Sequence, residues 1–315
     1  MIDDAVPDLS IITVSWNVRD LLRACLASIK DSCLSYSLEV FVVDNASSDG
    51  SADMVAREFP GVHMLRNSAN AGFTRGNNQA LALSRGRYVL FLNPDTRVEG
   101  DALAAMVAYM EAHPAAGALG PQLRYGDGSL QSSRRRFPTF GTALFESTPL
   151  AWHWPGNPWA ARYHMTDTPD DQTQPVDWVV GAALLVRRAV VEQIGGFDEG
   201  YFMYSEELDW CKRAGQAGWG TVYLPAARVI HYEGKSSEQA VAARHIRFQT
   251  SKLRYFRKYH GAGVTGLLRG FLLASFAGEW LFEGVKWLLG SKRPLRQQRL
   301  SAYSQLLRTG LRNAT

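Results

Sequence analysis

Short apolar runs alternate with stretches of helical period from Leu9 to Leu123. "LSIITVS", "LEVFVVD", "VHMLRN" and "YVLFLN" are rich in branched side chains, the pattern of parallel strands buried on both faces. After the first run, Leu21, Leu22, Cys25, Leu26 and Ile29 recur at the spacing of a helix that buries one face. The second run leads into "NASSDGSADMVAREF", whose Ser and Asp side chains can cap a helix start. Strand, helix, strand, helix predicts an α/β fold built on a doubly wound, mostly parallel sheet. In such sheets ligands bind at the carboxyl ends of the strands, so the site is located before any chemistry is invoked.

The pattern breaks in the middle. "RRRFPTF" and "LAWHWPGNPWAARYHM" carry Pro, Gly and many aromatics, which predicts an ordered functional loop region rather than a linker. The sheet is expected to resume at "VDWVVGAALLVRR", followed by a helix over about 206–217 and two last strands, "TVYLP" and "RVIHY". Val241, His245, Phe248, Lys252, Phe256 and Tyr259 then mark one face of a long helix. Residues 264–289 have the length of a membrane span, but Arg269, Glu279, Glu283 and Lys286 interrupt it. Each central charge costs roughly 2.5 to 3.5 kcal/mol on insertion, which argues against crossing. Ser275, Glu279, Glu283 and Lys286 share one stripe, while Leu273, Phe276, Trp280 and Trp287 lie mostly elsewhere, so the expectation is a helix lying in a membrane surface. Packing against the α/β domain or in a dimer is the competing reading.

Composition adds limits. A chain of 315 residues with 46% hydrophobic and 20% charged residues folds, and its length suits one large α/β domain with an appendage. Three cysteines, Cys25, Cys33 and Cys211, form no CxxC pair, which suits core thiols in a reducing compartment. The start of the chain lacks the basic-then-apolar pattern of a secretory leader, so a cytoplasmic location is expected. The net charge of +4 is unevenly spread: basic residues cluster on both sides of the apolar stretch after residue 240. That arrangement favours an anionic membrane surface over nucleic acid.

Candidate chemistry sits where strands end. Asp44 and Asn45 close "VFVVDN"; a carboxylate there can accept a hydrogen bond from a nucleobase imide, or simply shape a turn. In "NAGFTRGNN", Gly72 and Gly76 let the backbone approach a ligand, and Arg75, Asn77 and Asn78 supply donors suited to ribose or phosphate. The stretch is neither GxGxxG nor a phosphate loop, which counts against dehydrogenase and nucleoside-triphosphatase readings. "FLNPDT" places the oxygens of Asn93 and Asp95 in a tight turn, fit for magnesium or manganese or for a helix cap. "YFMYSEELDW" packs Glu206, Glu207 and Asp209 behind a cluster of aromatics, in a chain that is positive overall. A helix start favours such charge, and neighbouring carboxylates raise each other's pKa, which makes a better base.

"IITVSWN", "VVDNASSDGS", "NAGFTRGNN", "LFLNPDT", "GGFDEGYFMYSEELDWCKRAGQAGW" and "HYEGKSS" follow one another in the order and approximate spacing of family-2 glycosyltransferases of the GT-A fold. The chain most resembles their bacterial rhamnosyltransferase branch, whose members act on lipid-linked glycan acceptors.

The resemblance implies a donor-binding set of Thr13, Ser15, Asn17, Asp44, Asn45, Asn70, Gly72, Phe73, Arg75, Asn77, Asn93 and Asp95, with Asp44 reading the base. Asn93 and Asp95 match the metal-binding DxD element, with Asn in its first place, and His231 matches a histidine supplied to the metal or diphosphate. The cofactor implied is Mg2+ or Mn2+. Glu206-Glu207 corresponds to the Glu-Asp pair whose second member is the base, which favours Glu207 and keeps Glu206 in contention; Asp209, four residues before Arg213, is expected to support them. Trp178, Gly181, Ala182 and Tyr204 are the implied acceptor side, and Trp152, Trp154 and Trp159 are stacking candidates.

The expected reaction is inverting transfer from a nucleotide-sugar, with dTDP-rhamnose preferred over a UDP-sugar. The expected acceptor is a polyprenyl-diphosphate-linked saccharide at the inner membrane face, in cell-envelope polysaccharide synthesis. A single displacement needs one base, where hydrolases use a pair of carboxylates. The alternatives are a UDP-sugar enzyme with a soluble or protein acceptor and a non-catalytic nucleotide-sugar-binding module at the membrane. Residues 1–125 are expected to bind the donor, 126–238 the acceptor, and 239–315 the membrane, with a homodimer left open.

Overall fold

The computed structural model describes residues 6–32, 35–232 and 241–312; Cys33 and the "EGKSS" part of the last motif lie outside them. The elements begin β1 (Leu9–Ser15), α1 (Arg19–Asp31), β2 (Leu38–Asp44), α2 (Ser51–Glu58), β3 (His63–Arg66), α3 (Phe73–Leu81), β4 (Tyr88–Leu92) and β5 (Thr96–Val98). They continue with α4 (Ala102–Ala112), β6 (Ala116–Arg124), β7 (Leu130–Gln131), β8 (Arg134–Arg135), α5 (Phe140–Phe145), α6 (Pro149–His153) and α7 (Pro158–His164). Last come β9 (Gln174–Val176), β10 (Trp178–Val179), β11 (Ala183–Arg187), α8 (Arg188–Ile194), α9 (Glu206–Gln216), β12 (Gly220–His231), α10 (Val241–Leu288) and α11 (Arg293–Thr309).

The chain divides into two compact units: Met1–Phe137 with Asp167–Phe202 and Glu206–Ser236, and Pro138–Thr166 with Met203–Ser205 and Ser237–Thr315. In the first, the main sheet runs β3-β2-β1-β4-β11-β6-β12-β5, with β7 on β6 and β9 on β12. The pairs β1–β2, β1–β4 and β2–β3 are parallel, so the carboxyl ends of β2, β1 and β4 lie side by side. β11 runs antiparallel to both β4 and β6, which brings its amino end to the carboxyl end of β4.

Local sequence explains most of this. β1 is buried at all seven positions, its apolar Leu9, Ile11, Ile12 and Val14 interspersed with the small polar Ser10, Thr13 and Ser15. α1 buries Leu22, Cys25, Leu26 and Ile29, each large aliphatic contributing about 1.5 to 3 kcal/mol. β3 differs from the expectation of a fully buried strand: it is the sheet edge, and its residues are half-buried or exposed. The N-cap of α2 is Gly50; Asp49, just before it, accepts the Ser51 amide on Oδ1 at 3.0 Å and the Arg19 amide at the start of α1 on Oδ2 at 2.7 Å, so one side chain serves both helix starts. The two last strands expected from the pattern are one, β12, with an irregularity between Leu224 and Arg228 where its parallel register on β6 shifts. Beyond the shift, β12 also pairs antiparallel with β5, setting His231 opposite Thr96.

In the second unit α10 is broken at Gly261, whose φ of 82° and ψ of 173° leave the helical region. Lys252 is buried there and donates to the Glu146 carbonyl at 2.6 Å; burial pushes its ammonium below its ordinary value against the pull of the Glu146 carboxylate. After the break α10 forms a hairpin with α11. The charged stripe expected to face water is turned inward at its centre: Glu283 is buried and accepts from Arg296 at 2.6 Å and Arg299 at 3.0 Å. Arg269 likewise donates to the Gly310 carbonyl at 2.7 Å. Leu281, Phe282, Val285, Leu288 and Leu289 are exposed instead, on one side of the helix.

Candidate active site

The register of β1 on β2 sets Ser15 beside Asp44 at the two carboxyl ends. Thr13, Ser15, Asp44 and Asn45 are all buried. Asp44 holds the next turn by accepting the Ser47 amide on Oδ2 at 3.0 Å, while Oδ1 has no hydrogen-bond partner. Asn45 is spent on scaffold: its amide donates to the Gly72 carbonyl at 3.0 Å and its Oδ1 accepts from Asn67 at 2.8 Å. Asn17, at φ 54°, accepts the Ser48 amide at 2.7 Å, and Asn70 accepts the Gly72 amide at 3.0 Å. Asn77 is buried and bonds back to the Phe73 carbonyl within α3, whereas Arg75 is exposed.

Gly72 has a physical reason to be glycine. Its φ is 90°, and a Cβ there would stand 2.7 Å from the Phe202 carbonyl oxygen and 2.8 Å from the Phe202 ring. The Phe73 amide donates to that same carbonyl at 2.9 Å, so the 70–78 loop is strapped to the segment before α9.

A second group forms where β4 ends. The Asn93 amide donates to the Ala182 carbonyl at 2.9 Å, and the Asn93 carbonyl accepts the Thr96 hydroxyl at 2.7 Å, closing the turn around Pro94. Asp95 Oδ1 lies 3.4 Å from His231 Nε2, and the Tyr232 amide donates to the Asp95 carbonyl at 2.9 Å. His231 Nδ1 is 3.0 Å from Gln131 Oε1, a residue that sequence reasoning missed because nothing in the two-residue strand β7 announces it. Cys25 packs behind this turn, 3.5 Å from the Thr96 hydroxyl, and burial pushes its thiol up to about 12.

The third group opens α9. Glu206 is buried and Glu207 half-buried. Glu207 Oε1 accepts the Gly181 amide at 3.2 Å, and Oε2 of each glutamate is buried without a partner. Burial pushes both carboxyls above their ordinary value; the charge of Glu207 adds to the rise of Glu206, and the Gly181 bond restrains that of Glu207. Burial thus leads here, ahead of the carboxylate repulsion expected from the sequence. Asp209 is fully buried and committed to Arg213 at 2.9 Å, whose other nitrogens bond the Ile194 and Gly196 carbonyls at 2.6 Å, so the pair ties α9 to the end of α8.

The dipeptide Gly181-Ala182, before β11, joins these groups: one amide holds Glu207, and the next residue's carbonyl holds Asn93. Trp178 is buried with its indole N–H on the Arg136 carbonyl at 3.1 Å. Tyr204 belongs to the second unit, where its ring meets Phe248 edge-on at 5.7 Å; it and Ser205 adopt φ of 72° and 66°, uncommon outside glycine. Trp154 and Trp159 also lie in that unit, half-exposed around Phe145, and the side chain of Trp152 is outside the description.

Buried side-chain oxygens without a hydrogen-bond partner, among the described residues, fall on Thr13, Ser15, Asp44, Thr74, Asn93, Glu206, Glu207 and Gln249; Thr13, Ser15, Asp44, Asn93, Glu206 and Glu207 belong to the three groups above, whereas Gln249 lies on α10 in the second unit. Each such group costs about 1 to 3 kcal/mol unless something completes it, so their grouping at the strand ends makes this the candidate site. No set of three or more His, Cys, Asp or Glu converges as a metal cage among the described residues. Asp95 and His231 bring an oxygen and a nitrogen within 3.4 Å of each other, and Asn93 Oδ1, two residues before Asp95, is unpartnered; these are donor types that a divalent cation accepts.

Residues 10–195 match the family model described as glycosyl transferase family 2. The chain belongs to that family. It is 31% identical over 280 residues to the N-acetylglucosaminyl-diphospho-decaprenol L-rhamnosyltransferase of Mycobacterium tuberculosis, covering 85% of this chain and 90% of that protein. It is 30% identical to rhamnosyltransferase WbbL of Escherichia coli K12 over 70% of this chain and 82% of that one. Among solved structures, the mannosyltransferase PcManGT of Pyrobaculum calidifontis with GDP-Man and Mn2+ matches at TM-score 0.57 and 16% identity, over 98% of this chain and 88% of that one. GalNAc-T7 with UDP, GalNAc and Mn2+ matches at 0.59 and 14%, over 81% and 48%. The chain is thus a family-2 glycosyltransferase of the GT-A fold. The family match ends before Glu206 and His231.

Proposed function

We propose that this glycosyltransferase moves a sugar, rhamnose from dTDP-rhamnose by preference, onto a polyprenyl-diphosphate-linked saccharide with inversion at the anomeric carbon. The observation that carries the reading is that six of the eight unpartnered buried side-chain oxygens among the described residues, those of Thr13, Ser15, Asp44, Asn93, Glu206 and Glu207, belong to the groups at the strand ends and the start of α9. In this reading Asp44 Oδ1 accepts from the base imide, Thr13 and Ser15 line the nucleoside side, and Gly72 lets the loop backbone close on the donor. Asn93, Asp95 and His231 would hold a divalent cation, whose chemistry when bound is to neutralise charge on the departing diphosphate. Glu207, held by the Gly181 amide on one oxygen, takes the acceptor hydroxyl's proton on the other as that hydroxyl oxygen bonds to the anomeric carbon and the bond to the diphosphate breaks. The Asp209–Arg213 pair holds α9 to the end of α8, and Glu206 is the alternative base.

The mycobacterial relative is named for a decaprenol-linked substrate, and the second unit offers a surface suited to such an acceptor. By length and composition α10 could cross a membrane. The inward pairing of Glu283 and Arg269 removes two of the charges that interrupt its apolar run, leaving Leu281, Val285, Leu288 and Leu289 outward with Lys292 and Arg293 nearby. We assign it a place on the anionic inner face of the membrane. Residues 1–125 then serve the donor, 126–238 the acceptor and 239–315 the membrane.

The test is thermal stabilisation of the full chain by nucleotide-sugars with manganese, followed by transfer to a lipid-linked N-acetylglucosamine acceptor. A true donor stabilises by mass action, about 2.7 kcal/mol at a hundred times its Kd. Stabilisation and turnover with dTDP-rhamnose are expected; a response to UDP-sugars alone would overturn the donor assignment.

A further inference from the structure

Gln131 is buried on β7, held opposite Leu123 of β6, and its Oε1 is 3.0 Å from His231 Nδ1. The other ring nitrogen, Nε2, lies 3.4 Å from Asp95 Oδ1. We propose that Gln131 fixes His231 in the tautomer with its proton on Nδ1, presenting the Nε2 lone pair beside the Asp95 carboxylate to a divalent cation. Gln131 is thus a positioning residue for the metal, and the proposal rests on the cation site assigned above.

Donor chemistry leads to this assignment. An amide oxygen only accepts, so the ring nitrogen facing it carries the hydrogen, and a neutral imidazole has one. Nε2 then holds a lone pair aimed at a carboxylate oxygen, and two such groups are brought together by a shared cation. Ligands about 2.1 Å from one ion and at right angles stand about 3 Å apart, close to the 3.4 Å seen here. With the amide turned over, Nε2–H would donate to Asp95, and such a charge-assisted bond closes to about 2.7 to 2.9 Å. The observed separation is longer.

The backbone leaves ring orientation as the variable that Gln131 controls. His231 is paired with Thr96 across β12 and β5, and the Tyr232 amide is bonded to the Asp95 carbonyl, so both main chains are fixed. A hydrogen bond to the distal nitrogen of a ligating histidine sets its tautomer and raises its basicity.

The experiment measures Mn2+ binding by the full chain with thymidine diphosphate, from the electron paramagnetic resonance of free Mn2+, and reads coupling of a bound nitrogen by electron spin-echo modulation. Gln131→Leu is expected to weaken Mn2+ binding about 10- to 100-fold and to reduce the nitrogen coupling. Gln131→Glu, which accepts the same proton, is expected to bind at least as tightly as the unaltered chain. Circular dichroism and melting verify that both variants fold. Mn2+ affinity within twofold of the unaltered chain in Gln131→Leu, or loss of affinity in folded Gln131→Glu, would overturn the proposal while a weakened His231→Ala leaves the cation site standing. Unchanged Mn2+ binding in His231→Ala would overturn the cation site's histidine and this proposal together.

Discussion

The Gly181 amide donates to Glu207 Oε1 at 3.2 Å, and a Cβ at position 181 would stand 3.3 Å from the Glu207 carboxyl carbon. The proposed base is thus aimed by a residue that has no side chain to spare. Gly181→Ala should displace the carboxylate by a few tenths of an ångström, because the end of a glutamate yields more easily than backbone. Steady-state kinetics should show kcat reduced by about tenfold or more with little change in melting temperature, since sub-ångström misplacement of a reacting group is costly. An unaltered kcat would remove Gly181 from the aiming of the base.

Glu207→Gln should lower transfer by about 10²- to 10⁴-fold, the usual worth of a general base, with donor binding intact by calorimetry. In the unaltered enzyme, burial raises the Glu207 carboxyl above its ordinary 4.5, so the rate should climb with pH through a value higher than a free carboxylate's. An acid limb centred near 4.5, or full activity in the variant, would transfer the role to another group.

Glu206 links pH to stability. Its folded pKa is raised from 4.5 by burial and by the charge of Glu207, so above 4.5 the folded chain keeps a proton that the unfolded chain releases. Stability therefore falls as pH rises from 4.5 through the raised value. Glu206→Gln removes this dependence: denaturant melts should find the variant gaining on the unaltered chain as pH rises from 4.5 to 8. A constant difference across that range would contradict the assignment.

Gly72→Ala should cost stability and donor affinity together. The substitution puts a side chain at φ 90° and against the Phe202 carbonyl, with strain of about 1 to 3 kcal/mol. Urea melts and nucleotide titrations check the two effects, and an unchanged melt would mean that the strap to Phe202 is dispensable.

The hairpin lets folding be tested apart from the proposed membrane contact. Arg296→Met leaves Glu283 with a half-exposed partner, Arg299, and should cost about 3 kcal/mol in melts. Leu281→Asp with Leu288→Asp alters the outward face, where both side chains are exposed, and should leave the melt unchanged while reducing sedimentation with anionic vesicles. Equal sedimentation of that double variant would place the contact elsewhere.

The sequence by itself determined the strands β1, β2 and β4, the helices α1 and α9, and the polar residues at their ends, because burial periodicity and end-of-strand chemistry are local. The positions of Asp44 and Asp95 at strand ends and of Glu207 at a helix start were legible for that reason, while the choice of Glu207 as base came from the family resemblance. Tertiary structure decided what those patterns face. β12 reaches past its shift in register to put His231 beside Asp95, more than a hundred residues earlier, and a two-residue strand brings Gln131 to the far side of the same ring. The charged stripe of α10 was visible as a stripe, but only the arrival of α11 turned Glu283 inward. Periodicity encodes which face of an element is distinct; the partner that covers that face is chosen by the packing of distant segments, and no local window contains it.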